Sequence, residues 1–285
     1  MGSQQSVETN ASQNASEDDE AEILVEQLSR FSVKESASHI EVASKNKIHV
    51  TRWTYDDDGA IDTFDQNGKK MKCIHSGHQS FTGITLSKLG FLFALNTTKK
   101  RIEEYGSADG RKVKNFKLDY CNDPQAVDIM SSGELLVVDQ ERHRVIVYPN
   151  NRKSNSKPRA ITHSLLREPY DVAATNDGFY VTCAATHCLL KMDLNGEVLW
   201  SFGDSGDSSK KFKAPQGVCV DEVGMVYVVD KALNCIYMFN KDGQLKGRIT
   251  DKGREAMKRP WYISVKDGLM AVLFSHNIVK TYQFV

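Results

Sequence analysis

Short apolar runs of four to six residues recur along most of the chain, split by Asn, Asp and Gly turns. LLVVD ends at Asp139, VYVVD at Asp230 and LFALN at Asn96. A few residues on, a second apolar run closes on an aromatic: RVIVY at 144–148, CIYMF at 235–239 and AIDTF at 60–64. Glycine turns follow (DQNG, SADG, DLNG, KDG), then a last short run such as KKMKCI or GEVLWSF. Runs of this length with β-branched and aromatic content predict strands, and the turn residues supply the positive φ of tight hairpins. Long helices are not predicted.

The pattern repeats. RPWYISV, APQGVCV, EPYDVAA and DPQAVDI each carry a proline with aliphatic or small residues three and five positions later. Pro124, Pro169, Pro215 and Pro260 are spaced by 45, 46 and 45 residues, and Ala37 and Phe81 take the same place upstream at spacings of 44 and 43. A period of this size marks a repeat architecture. Six units cover residues 37–285, each a four-stranded antiparallel meander. The expected fold is therefore all-β: a six-bladed β-propeller whose sheets bury both faces against their neighbours. The sixth unit stops at Val285 after its third strand, and Ile23–Phe31 is placed to supply the outer strand and close the ring. Read at period 3.6, EILVEQL also suits an amphipathic helix.

The stretch APQGVCVDEVGMVYVVDKALNCIYMFNKDGQLKGRI resembles an NHL repeat: proline, aliphatic pair, VYVxD, a polar turn, a hydrophobic strand ending in Phe, then D-G. SGELLVVDQERHRVIVY is similar, with RHRV where that family often has NHRV. The resemblance extends over residues 37–285, and the Gly-His and Trp-Asp dipeptides of WD repeats are absent. It implies a propeller like the NHL domain of tripartite-motif-type proteins. No RING, B-box or coiled-coil segment accompanies it, so ubiquitin-ligase activity in cis is not expected.

Composition sharpens the domain picture. The chain has 37 basic and 37 acidic side chains, 40% hydrophobic and 9% aromatic residues, as an ordinary globular protein does. The zero balance argues at first against a nucleic-acid binder, but up to Arg30 there are seven acids and one base, so the remainder is basic by six. Residues 1–21 are expected to be a disordered acidic Ser/Asn/Gln-rich tail, and 22–285 the propeller. Met1-Gly2-Ser3-Gln4-Gln5-Ser6 matches the myristoylation pattern at Gly2. One such chain gives only weak, reversible membrane association. No run of 18 apolar residues and no signal-like segment occurs, and the six cysteines form no C-x-x-C. They read as single buried thiols in a reducing compartment, so a cytoplasmic protein, peripheral at membranes if acylated, is expected.

Catalytic motifs are missing: no G-x-S-x-G, Walker loop or G-x-G-x-x-G occurs. Propellers similar to NHL include metal-dependent lyases and lactonases, whose sites need ligands converging on the axis. Two residues after each repeat anchor stand His39, Gly83, Ala126, Asp171, Gly217 and Tyr262; four after it stand Glu41, Thr85, Asp128, Ala173, Cys219 and Ser264. Only by mixing both levels do Glu41, Asp128, Asp171 and His39 suggest an ion site. No metal, cofactor or enzymatic activity is expected.

Function is expected on the face that carries the inter-blade loops and the turns between second and third strands. Lys99, Lys100 and Arg101 belong there, as do Tyr120, Arg142, His143 and Arg144. Tyr170, His187, Lys210, Lys211 and Lys213 join them, with Arg254, Lys258, Arg259 and Trp261. The expectation is a monomeric, non-enzymatic module that binds a protein partner here. The alternative is single-stranded RNA, with phosphates on the cations and bases on the rings. A lyase or lactonase in the channel is the lesser alternative.

Overall fold

The computed structural model describes residues 21–34, 36–53, 59–75, 79–150, 157–203, 212–251 and 257–285. The Gly2 pattern, most of the acidic tail, His78, Lys210, Lys211 and Arg254 lie outside the described residues. The described residues form 24 strands. β1 spans Glu22–Ser32. β2 (Ala37–Ser44), β3 (Lys47–Arg52), β4 (Ala60–Phe64) and β5 (Lys70–His75) make one sheet. β6 (Phe81–Leu86), β7 (Phe91–Asn96), β8 (Arg101–Gly106) and β9 (Lys112–Lys117) make the next. β10 (Pro124–Ile129), β11 (Leu135–Asp139), β12 (Arg144–Tyr148) and β13 (Arg159–Thr162) follow. Then come β14 (Pro169–Ala174), β15 (Phe179–Cys183), β16 (Cys188–Met192) and β17 (Val198–Phe202). The remaining strands are β18 (Pro215–Val220), β19 (Val226–Asp230), β20 (Cys235–Phe239), β21 (Leu245–Asp251), β22 (Pro260–Lys266), β23 (Leu269–Phe274) and β24 (Ile278–Phe284). With β1 they form one eight-stranded sheet, β18-β19-β20-β21-β1-β24-β23-β22.

The arrangement is all-β and propeller-like. The first strands of the repeats neighbour one another in a closed circuit, β2 to β6, β10, β14, β18, β22 and back to β2. All four repeat prolines open such a strand, the position where a missing N–H removes least from the ladder. Middle strands β4, β11, β15, β16, β19 and β23 are buried along their whole length. Both of their faces meet neighbouring sheets, which explains continuous apolar runs instead of alternation.

The segment around EILVEQL is a strand, not a helix. β1 runs antiparallel to β24, from Val25↔Phe284 to Ser32↔Ile278. Its first four residues also pair in parallel with β21, Glu22↔Arg248 to Val25↔Asp251, which the repeat pattern does not foretell. Val25 sits where both ladders meet and is fully buried. Gly247 makes room for this approach: a Cβ there would overlap the Ala21 carbonyl. All six cysteines are free thiols, but only Cys121, Cys183 and Cys188 are buried; Cys73, Cys219 and Cys235 are partly exposed. No helix among the described residues is long and apolar enough to cross a membrane.

Candidate functional site

A cavity of about 550 Å³ follows the axis between the first strands. It opens among the turns that join first and second strands, near Lys88, Leu89, Ser132 and Glu222. Inward it reaches His39 and Asp171 and stops. Small residues at Gly83, Ala126 and Gly217 let the first strands approach closely at this level; a Cβ on Gly217 would stand 2.8 Å from Tyr262 Cα. The Tyr262 ring lies against His39 at 4.3 Å between centroids and against Tyr170 at 5.7 Å. Trp261 donates its indole N–H to the Tyr170 hydroxyl, and the Tyr170 and Tyr262 hydroxyls are hydrogen-bonded. These rings stopper the channel beneath the loop face, leaving a cup with one mouth.

Polar side chains along the cup tie consecutive first strands together. Asp128 Oδ2 accepts from the Ala174 N–H at 2.7 Å, and Asp171 Oδ2 accepts from the Val218 N–H at 2.9 Å. Ser264 Oγ accepts from the Val42 N–H at 2.9 Å. Asp128 also accepts from the Ile129 N–H at 2.7 Å and from the Thr85 hydroxyl. Asp171 also accepts from the Val172 N–H at 2.9 Å, and its Oδ1 stands 3.5 Å from His39 Nε2. Each charge-assisted bond of this kind contributes about 1.5–3 kcal/mol. The two aspartates that resembled ion ligands in the sequence thus join neighbouring sheets. No group of three or more His, Cys, Asp or Glu side chains arranged to hold a metal occurs among the described residues.

Glu41 differs. It receives a 3.4 Å hydrogen bond from the Ser264 hydroxyl and one from the Leu86 N–H, and keeps some exposure to the channel. Burial first, and then the Asp128 charge, push its carboxyl up to about 8, against an opposing pull from Lys266. Burial likewise raises Asp128. His39 Nδ1 has no hydrogen-bond partner although the residue is only 7% exposed.

The opposite end carries the loops. There the turn between second and third strands fastens the loop that enters the following first strand. His143 Nδ1 accepts from the Glu168 N–H at 3.0 Å, Asn234 Oδ1 from the Arg259 N–H at 2.7 Å, and Asn277 Oδ1 from the Ala37 N–H at 2.9 Å. These three turn residues, with Lys100 and His187 at the matching place, have positive φ of 44 to 61°. His and Asn tolerate that conformation better than most residues, which gives the RHRV turn a structural reason. Asp139 and Asp230 close the same corner. Asp139 accepts from the Asn122 and Asp123 N–H groups, and Asp230 from those of Lys213, Ala214, Ala232 and Leu233.

The expected loop-face residues therefore separate into two groups. Arg144 pairs with buried Asp139 at 2.8 Å and donates to the Tyr120 carbonyl. Arg101 and Lys112 both pair with buried Glu103, and Lys100 Nζ donates to the Asn122 carbonyl at 3.3 Å. Lys99, Tyr120, Arg142, His187, Lys213, Lys258 and Arg259 are exposed. Tyr170 and Trp261 are half-buried, with Lys231 Nζ 4.5 Å from the Trp261 ring centre. Glu104 lines the cavity. Sequence reasoning did not find Lys231; its position directly after the VYVVD run was the available signal.

No family model and no curated protein matches the sequence. Solved structures do match the fold. Virginiamycin B lyase from Staphylococcus aureus is 13% identical, with a TM-score of 0.61 over 90% of this chain and 87% of that one. A streptogramin B lyase is 13% identical, with a TM-score of 0.61 over 92% and 87% of the two chains. A structural-genomics protein of unknown function from Bacteroides thetaiotaomicron is also 13% identical, with a TM-score of 0.65 over 89% of this chain and 72% of that one. These likenesses establish a β-propeller-like fold.

Proposed function

We propose that the chain is a six-bladed, NHL-type propeller that works as a non-enzymatic module and docks a protein partner on its loop face. Counting β22–β24 with β1 as one blade, and β18–β21 as another, gives the six. The observation that carries the functional reading is how the polar groups are used. Asp128 and Asp171 are committed to backbone N–H groups of the next sheet, whereas the loop face exposes Arg142, His187, Lys213, Lys258 and Arg259 around the Trp261 and Tyr170 rings. Aromatic and arginine side chains within a polar rim are the usual anchors of protein interfaces. A protein fits better than RNA because Arg101 and Arg144 already neutralise buried acids, and exposed Glu141 and Glu168 interrupt the positive charge.

The test compares a double variant, Arg142→Glu with Arg259→Glu, against Val223→Glu, which changes an exposed turn at the other end. Cross-linking and affinity capture from cells should give protein partners shared by wild type and V223E and lost from the double variant. Partners unaffected by the double variant refute the loop face. Low-salt binding of single-stranded RNA that is abolished by the same variant, with no protein captured, makes the alternative reading correct.

A further inference from the structure

The axial cup lies at the opposite end from the proposed docking face and is independent of that reading. Its volume, about 550 Å³, falls within the range of small-molecule sites. Its walls are largely aliphatic, from Ile84, Val127, Ile129, Val172, Val218 and Ile263. Against this apolar lining stand six acidic side chains, Glu41, Glu104, Asp128, Asp171, Asp221 and Glu222. The only lysines among the lining residues, Lys88 and Lys266, belong to the open end. Asp128 and Asp171 have their oxygens occupied by backbone N–H groups, while Glu41 has a single long side-chain contact, from Ser264, and the Leu86 N–H.

A second and independent observation points the same way. His39, buried at the closed end of the cup, has a ring nitrogen, Nδ1, with no protein partner. Buried polar atoms are nearly always hydrogen-bonded, so an orphan lining a cavity marks a place for a ligand atom. The cup thus presents an incompletely satisfied acid, an unsatisfied imidazole nitrogen and an apolar wall long enough for a ring or short chain. Its two lysines, Lys88 and Lys266, are outnumbered by the acids that line it.

We propose that this cup binds a small organic amine, its ammonium on the Glu41 carboxylate and its apolar body along the Ile84, Ile129 and Ile263 wall. A hydrogen-bonding group at the inner end of the ligand meets His39. Burial and the Asp128 charge raise the Glu41 carboxyl against only a partial pull from Lys266, and an entering ammonium supplies a closer countercharge.

The experiment uses the full chain labelled at isoleucine methyl groups, above about pH 8 where Glu41 is ionised. The probes are phenethylamine, neutral phenylethanol and anionic phenylacetate. Saturable shifts confined to Ile84, Ile129 and Ile263 with phenethylamine, at least about tenfold weaker with the other two, support the site. Glu41→Gln should weaken phenethylamine about tenfold and leave phenylethanol unchanged. Should that variant not fold, the three-probe comparison on the wild type still decides. Equal shifts with phenylethanol, or shifts at Ile48, Ile102 and Ile236 instead, overturn the proposal; so does an absence of shifts at saturating phenethylamine.

Discussion

Replacing Glu41 with Gln removes a channel acid whose carboxyl is raised to about 8 and whose partners are the long Ser264 contact and the Leu86 N–H. Its ordinary value of 4.5 rises to about 8 in the fold, so the folded chain holds a proton there that the unfolded chain has released. The stability linked to this group is fully present below about 4.5 and is lost as pH rises through about 8. The full difference corresponds to at most about 5 kcal/mol. Channel solvent reaches the side chain, which reduces the expected loss between pH 6 and pH 9 to about 2 kcal/mol. Gln keeps the shape and the hydrogen bond from Ser264 but has no proton to lose. Urea midpoints of wild type and variant, measured at half-unit intervals over that range, isolate this group because every other titration is common to both. The wild type should lose about 2 kcal/mol more than the variant on the way to pH 9. Parallel pH profiles would refute the argument that a buried, unbalanced acid sits in the channel.

Other changes test the packing around the two ends. Arg144→Ala leaves fully buried Asp139 without its cation and should cost about 2–3 kcal/mol, whereas exposed Arg142→Ala should stay within about 0.5 kcal/mol, both read from denaturant midpoints. His49, buried beside the Thr63 hydroxyl at 2.9 Å, is pushed down by burial to about 3. Its stabilisation is complete above about 6.5 and is lost as pH falls toward about 3, so His49→Gln should flatten the acid limb of a melting-temperature profile. Val25→Asp places a carboxyl at the junction of two ladders and should cost about 3 kcal/mol or more, with loss of amide-exchange protection in both β21 and β24. Gly247→Ala should detach the start of β1 from β21 while the β1–β24 ladder survives, seen as faster exchange at Arg248, whose N–H donates to the Ala21 carbonyl, with the β24 amides still protected.

Much of the architecture is legible in the chain because the repeat is punctuated by residues with little conformational choice. Pro124, Pro169, Pro215 and Pro260 all open first strands, and β2 and β6 begin at the two residues that replace proline, Ala37 and Phe81. The polar ends of the second strands, Asp139 and Asp230, cap the adjoining loops, a local function that fixed spacing makes visible. The sites are less legible because a carboxylate's role depends on which way it faces. Asp128 and Asp171 resemble metal ligands by type and level, yet their partners are N–H groups 46 and 47 residues away. Arg144 looks like a surface cation in RHRV but pairs with an acid five residues earlier, across the β11–β12 hairpin. Tyr170 and Trp261 look like exposed rings beside prolines; only the convergence of β14 and β22 on the axis joins them to Tyr262 as a stopper. The parallel pairing of β1 with β21 breaks the repeat rule and has no periodic signal.

That closing strand also sets the mechanics of the molecule. Val25 at the start of the β1–β24 ladder lies opposite Phe284 near the other end of the chain, and the Val285 N–H reaches the Leu24 carbonyl at 3.3 Å. A load drawing these two ends apart falls on the outermost rung first and passes to the next only when it breaks. The ring therefore opens like a zipper at this seam, while the sheets whose strands are joined by short hairpins carry little of the force.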